Sequence, residues 1–141
     1  NKTDSDLKKN NSSNINLKIL LVEDDRDMSD LIAGHLESHD FEVQKAEDGV
    51  IAQELARQYM PDCIIINTML PRRDGFALCQ KIRNDQKTAV IPLLMMSVME
   101  NLQDIPAFNS IADDFITIPF DLDELTHRIK ALIKTHCLKS N

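Results

Sequence analysis

Residues 61–76 read PDCIIINTMLPRRDGF, and this stretch decides the fold because an apolar run ends there abruptly in polar and turn-forming residues. The run Cys63–Ile66 is too short for a helix and has no polar alternation, which predicts a strand buried on both faces. Strands of that kind belong to parallel sheets, whose ligand sites lie beyond the carboxyl ends of the strands. Asn67 and Thr68 therefore occupy the position where chemistry would be placed.

Strand-like and helix-like apolar patterns alternate along the chain on both sides of this stretch. The predicted strands are Ile19–Val22, Phe41–Ala46, Cys63–Ile66, Ile91–Ser97 and Phe115–Ile118. The predicted helices are Asp27–His39, a helix that follows Asp48 and carries Ala52 to Tyr59, Gly75–Asn84, one short or irregular helix within Asn101–Asn109, and a final helix capped by Asp121. Five strands alternating with helices predict an α/β fold with a doubly wound five-stranded parallel sheet.

Polar residues also predict where two of the helices begin. Asp74 is expected to cap the helix that starts at Gly75, because its side chain can accept a hydrogen bond from the first turn. Asp121 and Glu124 have the spacing of a capping box at the start of the final helix.

Composition limits the domain organisation and the possible partners. Residues 1–16 are rich in Asn, Ser and Lys and are predicted to form a disordered leader or linker, residues 17–135 the folded domain, and residues 136–141 a tail. No apolar run approaches the roughly 20 residues that span a bilayer. A net charge of −7 argues against nucleic-acid binding. Three cysteines at unrelated spacings favour a reducing cytoplasm over a disulfide framework or a zinc site.

Three groups of residues carry a resemblance to a known family. They are Val22-Glu23-Asp24-Asp25, then Leu70-Pro71 with Asp74-Gly75, and finally Ala112-Asp113-Asp114-Phe115-Ile116 with Pro119-Phe120. In this pattern, residues 18–134 resemble a response-regulator receiver domain, the phosphoacceptor module of two-component signalling. The resemblance implies a flavodoxin-like sheet with the strand order 2-1-3-4-5.

The resemblance also implies roles for individual residues. Glu23 and Asp24 match the acidic pair that binds Mg²⁺, together with the backbone carbonyl of Met69. Ser97 matches the switch hydroxyl and Phe115 the switch aromatic residue. Two interpretations of the acidic pair stay open: it binds Mg²⁺ weakly, or it faces solvent or the arginines of the 69–73 loop.

Two positions depart from the family pattern. Asn67 stands where the family has its phosphoacceptor aspartate, and an amide has neither the charge nor the nucleophilicity of a carboxylate. Ile118 stands where the family has a lysine, and an alkyl side chain cannot pair with a phosphoryl oxygen. Losing one negative and one positive group leaves the charge of the pocket unchanged. The pair of changes therefore favours a degenerate pseudo-receiver over a single engineered substitution at Asn67, which would leave Ile118 unexplained.

The sequence thus predicts a cytoplasmic, non-enzymatic receiver domain that is not phosphorylated at the usual position and works by protein contact. Its expected partners are a histidine kinase or its own effector domain, and a homodimer through the fourth helix, fifth strand and last helix is an option. Neither a membrane nor a nucleic acid is expected to bind this domain. Two alternatives are a conventional phosphoacceptor using a non-standard residue and a pocket that senses a ligand or metal.

One histidine pair raises a separate question. His35 and His39 are four residues apart on the first predicted helix and could share a metal ion. No third ligand is evident in the sequence. A solvated helix face is therefore the interpretation that the sequence favours.

Overall fold

The chain folds around one sheet, as a computed structural model describes it for residues 16–68 and 74–139, with the backbone alone at 138 and 139. The strands are β1 Leu17–Val22, β2 Phe41–Ala46, β3 Cys63–Asn67, β4 Leu93–Ser97 and β5 Asp114–Thr117. The helices are α1 Arg26–Glu37, α2 Gly49–Tyr59, α3 Gly75–Asn84, α4 Pro106–Asn109 and α5 Leu122–Lys139, with a 3-10 turn at Leu102–Asp104. Nearly all of the predicted leader lies outside the described residues.

The five strands pair in the order β2-β1-β3-β4-β5, and every pair is parallel. This confirms the predicted fold class and strand order. The register places Val22 opposite Ile66 and Ser97 opposite Thr117. The carboxyl ends of β1, β3 and β4 therefore lie along one edge of the sheet, and Glu23 and Asn67 meet there.

Helices cover both faces of the sheet. On one face, α2 and α3 pack against a core that includes Ile64 and Ile66. On the other face, α1 and α5 pack against a core that includes Ile65. All three isoleucines of β3 are fully buried, and each such side chain stabilises the fold by about 1.5–3 kcal/mol. The central strand is thus buried on both faces, as its sequence predicts.

Aspartate side chains start four of the helices. Asp25, Asp48 and Asp74 accept hydrogen bonds from backbone N–H groups in the first turns of α1, α2 and α3, which confirms the predicted cap at Asp74. Asp121 accepts from the N–H of Asp123 at 2.9 Å. The carboxylate of Glu124, expected to complete a capping box, instead accepts from Arg128 Nε at 3.0 Å.

Two predicted segments in the last third of the chain are the least regular. The segment Asn101–Asn109 is irregular, as expected. It contains the 3-10 turn and the four-residue helix α4, and Pro106 is the first residue of α4. Residues 136–139, which the sequence assigned to a C-terminal tail, continue α5. Within the described ranges, the helices are all too short or too polar to cross a bilayer.

Gly75 is required where α3 starts against the end of β3. A β-carbon on Gly75 would lie 2.6 Å from the carbonyl oxygen of Asn67 and 2.7 Å from the Cα of Thr68. Both of these are backbone atoms, so they cannot move aside as a flexible side chain would. The Gly75 N–H also donates to the Thr68 carbonyl at 3.0 Å, which holds the two segments in this contact.

We expect Gly75→Ala to lower the free energy of unfolding by about 1–3 kcal/mol, because the added methyl group overlaps the backbone. Gly34→Ala is the matched control, since Gly34 is an exposed residue of α1 with no atom near its β-carbon position. The control should be neutral or stabilising by up to about 1 kcal/mol. Urea unfolding followed by circular dichroism measures both, and equal effects at the two glycines would contradict the close contact.

The cysteines should differ sharply in reactivity. Cys63 and Cys79 are buried, and burial raises the pKa of the Cys79 thiol to about 12 and shifts the pKa of Cys63 upward as well. Cys137 is exposed on α5. We expect iodoacetamide to alkylate Cys137 alone in the folded protein and all three cysteines in urea, as read by mass spectrometry. If Cys63 or Cys79 reacts as fast as Cys137 in the folded protein, its burial in the core is contradicted.

Candidate functional site at the carboxyl edge of the sheet

Glu23 is a buried carboxylate at the end of β1, with only 3% of its surface exposed. Its Oε2 accepts a hydrogen bond from the N–H of Asp25 at 3.0 Å. Its Oε1 accepts from Asn67 Nδ2 at 2.9 Å. Both carboxylate oxygens therefore have a partner within the protein, which a buried charge requires.

Burial raises the pKa of Glu23, and its hydrogen bonds from Asp25 N–H and Asn67 oppose that shift. The neighbouring Asp24 adds to the upward shift through like charge, although Asp24 itself is exposed. The ionised form of Glu23 is thus held by donors that remain when no cation is bound. Asn67 is one of these donors.

Asn67 is the half-buried last residue of β3, and its hydrogen bond to Glu23 fixes the orientation of its side-chain amide. A carboxylate can only accept, so the amide group turned towards Glu23 must be the NH₂. The following residue is held on both sides: the Thr68 N–H donates to the Met96 carbonyl at 3.0 Å, and the Thr68 carbonyl accepts from Gly75. Asn67 therefore serves as a hydrogen-bond donor. The sequence predicted that this position has no carboxylate nucleophile.

Ser97 and Phe115, the predicted switch residues, lie on neighbouring strands. Ser97 is buried, and its Oγ accepts from the Met99 N–H at 2.9 Å while its carbonyl accepts from the Ile118 N–H at 2.7 Å. Phe115 is half-buried and packs against the core between the sheet and α2 and α3. The hydroxyl is therefore engaged locally, and the aromatic ring keeps part of its surface in solvent.

Ile118 follows β5 and precedes Pro119 through a cis peptide bond. Its side chain packs against the apolar core beneath α1 and α5, so this position supplies an alkyl group and no cation. Among the described residues, Arg26 and Lys45 are the cations that line the hollow of about 230 Å³ beside Glu23 and Asp24.

Lys45 is already engaged in that hollow. It pairs with Asp30 and lowers the pKa of that carboxyl group. The predicted contact of the acidic pair with arginines of the 69–73 loop, like the Met69 carbonyl, lies outside the described residues.

The donor set suits Mg²⁺ in its chemistry. Glu23 and Asp24 offer carboxylate oxygens, which Mg²⁺ prefers. However, the Oε1 of Glu23 already accepts from the amide of Asn67, so a cation approaching that oxygen competes with a hydrogen bond. Two carboxylates and a competing amide should bind Mg²⁺ more weakly than three carboxylates would.

Sequence reasoning missed an arginine network at the other edge of the sheet, where β4 and β5 begin. Arg83 of α3 donates to the carbonyls of Ala89, Ile91 and Ile111, at 2.7–2.9 Å, and pairs with Asp113 at 2.7 Å. Asp113 also accepts from the N–H of Leu93 at 2.8 Å, so one network joins α3 to the beginnings of β4 and β5. The two aspartates before Phe115 were the only sequence pattern that pointed there. This network is structural and lies at the opposite ends of the strands from Glu23.

The strand order, the acidic pair ending β1 and the hydroxyl ending β4 together define a receiver-type domain. The response regulator receiver domain family matches residues 19–130. The chain belongs to this family, which confirms the resemblance seen in the sequence.

Relatives with assigned names include transcriptional regulators. The chain is 45% identical over 118 residues to the DNA-binding dual master transcriptional regulator RpaA of Synechocystis, covering 83% of this chain and 49% of the relative. It is 31% identical over 119 residues to the response regulator MprA of Mycobacterium leprae, covering 84% of this chain and 51% of the relative. The chain therefore spans about half the length of the curated relatives it matches.

Solved structures agree with this assignment. A Francisella response regulator receiver domain superposes with a TM-score of 0.77 at 30% identity, covering 85% of this chain and 98% of that one. The receiver domain of a Pseudomonas aeruginosa sensor histidine kinase superposes with a TM-score of 0.77 at 25% identity, covering 84% and 98%. That second structure has a magnesium ion coordinated in its active site cleft.

We expect Asn67→Asp to lower the free energy of unfolding at neutral pH by about 1–3 kcal/mol. The substitution removes the amide that donates to the buried carboxylate of Glu23 and puts a second carboxylate beside it. Mg²⁺ should restore part of the loss. Asn67→Ala is the control: it removes the donor without adding charge, so Mg²⁺ should rescue it less. Urea unfolding with EDTA and with Mg²⁺ measures both variants. An Asn67→Asp protein as stable as the wild type in EDTA would contradict the role of this amide.

Proposed function

We propose that this receiver domain signals through protein contacts without being phosphorylated at position 67. The observation that carries the proposal is the hydrogen bond from Asn67 Nδ2 to Glu23 Oε1, at 2.9 Å. An aspartyl phosphate requires a carboxylate oxygen as the nucleophile at this position. The side chain here presents a hydrogen-bond donor to its acidic neighbour.

The second departure supports the first. A lysine at the end of β5 would neutralise the charge of a transferred phosphoryl group. Ile118 occupies that position and packs into the apolar core. One acid and one base are replaced together, which avoids leaving a single unpaired charge in a partly buried site.

Mg²⁺ binding is a weak, residual property of the same site in this proposal. Glu23, Asp24 and the backbone carbonyl of Met69 would hold the ion. When bound, it would neutralise part of the charge that Glu23 and Asp24 place at this edge. It would have no phosphoryl group to position.

The proposed partners are a histidine kinase or the chain's own effector domain, in the cytoplasm, with a homodimer as a further option. The contact surface is formed by α4, β5 and the start of α5. A groove of about 550 Å³ lies there, lined in part by Met99, Asp114 and Arg128. Arg128 donates to both oxygens of Asp114 at 3.0 Å and so fixes α5 against β5. The exposed Val98 and Met99 give this face an apolar edge.

If this face makes a homodimer, Val98→Glu should abolish it, because a charge would be buried in an apolar contact. Val90→Glu is the matched control: Val90 is 70% exposed and Val98 67%, but Val90 lies in the connection between α3 and β4. Sedimentation velocity over a concentration series measures the association. A wild-type dimer that survives Val98→Glu and is lost in Val90→Glu would place the interface elsewhere.

The test of the proposal is the intact mass after incubation with a small phosphodonor and Mg²⁺. We expect no phosphoryl adduct on the wild type, because its site lacks the carboxylate nucleophile, and partial modification of Asn67→Asp. A wild-type adduct mapped to this edge of the sheet would support the alternative of a conventional phosphoacceptor. A small molecule that copurifies in the same pocket would support the ligand-sensing alternative.

A further inference from the structure

We propose that the end of α1, the turn after it and the first turn of α5 form a binding site for a divalent transition-metal ion, with His35, His39 and Asp123 as ligands. One ring nitrogen of each histidine and one carboxylate oxygen of Asp123 all lie within 4.8 Å of one another. The third ligand comes from a helix nearly ninety positions further along the chain, where the sequence showed none. The expectation of a merely solvated histidine pair is therefore replaced by a three-residue cluster.

His35 contributes the most constrained nitrogen. Its side chain is 18% exposed, and its Nε2 is buried with no hydrogen-bond partner. That atom lies 3.5 Å from Asp123 Oδ1. Buried side-chain nitrogens usually have a partner, so an unpartnered one facing a carboxylate indicates a position for a cation.

His39 has its tautomer set by a neighbouring carbonyl. Its Nδ1 lies 3.0 Å from the backbone oxygen of His35, which can only accept, and 3.1 Å from Ser38 Oγ. Nδ1 therefore carries the hydrogen, and Nε2 keeps the lone pair that can bind a metal. An imidazole held by a carbonyl in this manner is the usual arrangement around metal-binding histidines.

The geometry needs only small movements to close around an ion. His35 lies in the last turn of α1 and His39 in the turn that follows the helix, and their ring centroids lie 4.5 Å apart at an angle of 38°. The N–H of Asp123 donates to Asp121, which fixes its backbone. Its side chain is 82% exposed and can rotate towards the rings. Ligand distances of about 2.0–2.2 Å are then within reach.

The donor set selects the class of metal. Two imidazole nitrogens and one carboxylate oxygen suit Zn²⁺, Ni²⁺ or Cu²⁺, with water completing the coordination, and do not suit Mg²⁺. A proton is the competing ligand, because a protonated His35 would pair with Asp123 directly. The site shares no residue with the acidic pair at the carboxyl edge, so it does not depend on the function proposed above.

The experiment is a calorimetric titration of the whole chain with Zn²⁺ in excess Mg²⁺, above the ordinary histidine pKa of about 6.5. Imidazole NMR spectra identify the histidines that bind. We expect one equivalent, with shifts at His35 and His39. His39→Gln should weaken binding at least about ten-fold. His127→Gln, at an exposed histidine of α5, is the matched control and should leave the affinity unchanged.

Asp123→Asn provides the second variant, because Asp123 is exposed and its replacement should not disturb folding. It should weaken Zn²⁺ binding while the circular dichroism spectrum stays the same. The proposal is overturned if Zn²⁺ shifts only His136 near Cys137, or if His39→Gln binds as tightly as the wild type. It is equally overturned if His35 and Asp123 form a proton-dependent pair that Zn²⁺ does not displace.

Discussion

The site depends on one constraint: a buried carboxylate ends β1 and must be satisfied within the protein. The parallel register brings the end of β3 beside it, so the residue at position 67 decides how this is done. Asn67 donates to Glu23, and the N–H of Asp25 donates to its other oxygen. Donors of the protein itself therefore satisfy the buried carboxylate of Glu23.

A receiver that switches needs a ligand that binds one of its states better than the other. A phosphoryl group has no attachment point at Asn67, and Ile118 gives it no cationic partner. Ser97 is engaged by the N–H of Met99, and Phe115 keeps part of its surface in solvent. Under the proposed function, any bias between states comes from contacts on the surface formed by α4, β5 and α5, where α4 is a single turn.

The fold could be predicted because its determinants are local. The apolar run of β3, the aspartate caps and the alternation of strands and helices each specify an element, and the parallel-sheet rule then places Asn67 at the site. Side-chain contacts between distant elements could not be predicted. The Asn67–Glu23 hydrogen bond and the approach of His35 to Asp123 both depend on packing between segments far apart in the sequence. The length of α5 could not be predicted from its apolar residues, because Ile133 is the last buried apolar side chain among its described residues and the helix continues to Lys139.

The most direct test of the central claim is an amide NMR titration with Mg²⁺, followed by beryllofluoride as a mimic of the phosphoryl group. The account predicts small shifts near Glu23 and Asp24 with Mg²⁺ and no further change when the mimic is added. Shifts that spread on adding the mimic to Ser97 and along β5 would contradict it. They would show that the pocket still recognises a phosphoryl group despite Asn67 and Ile118.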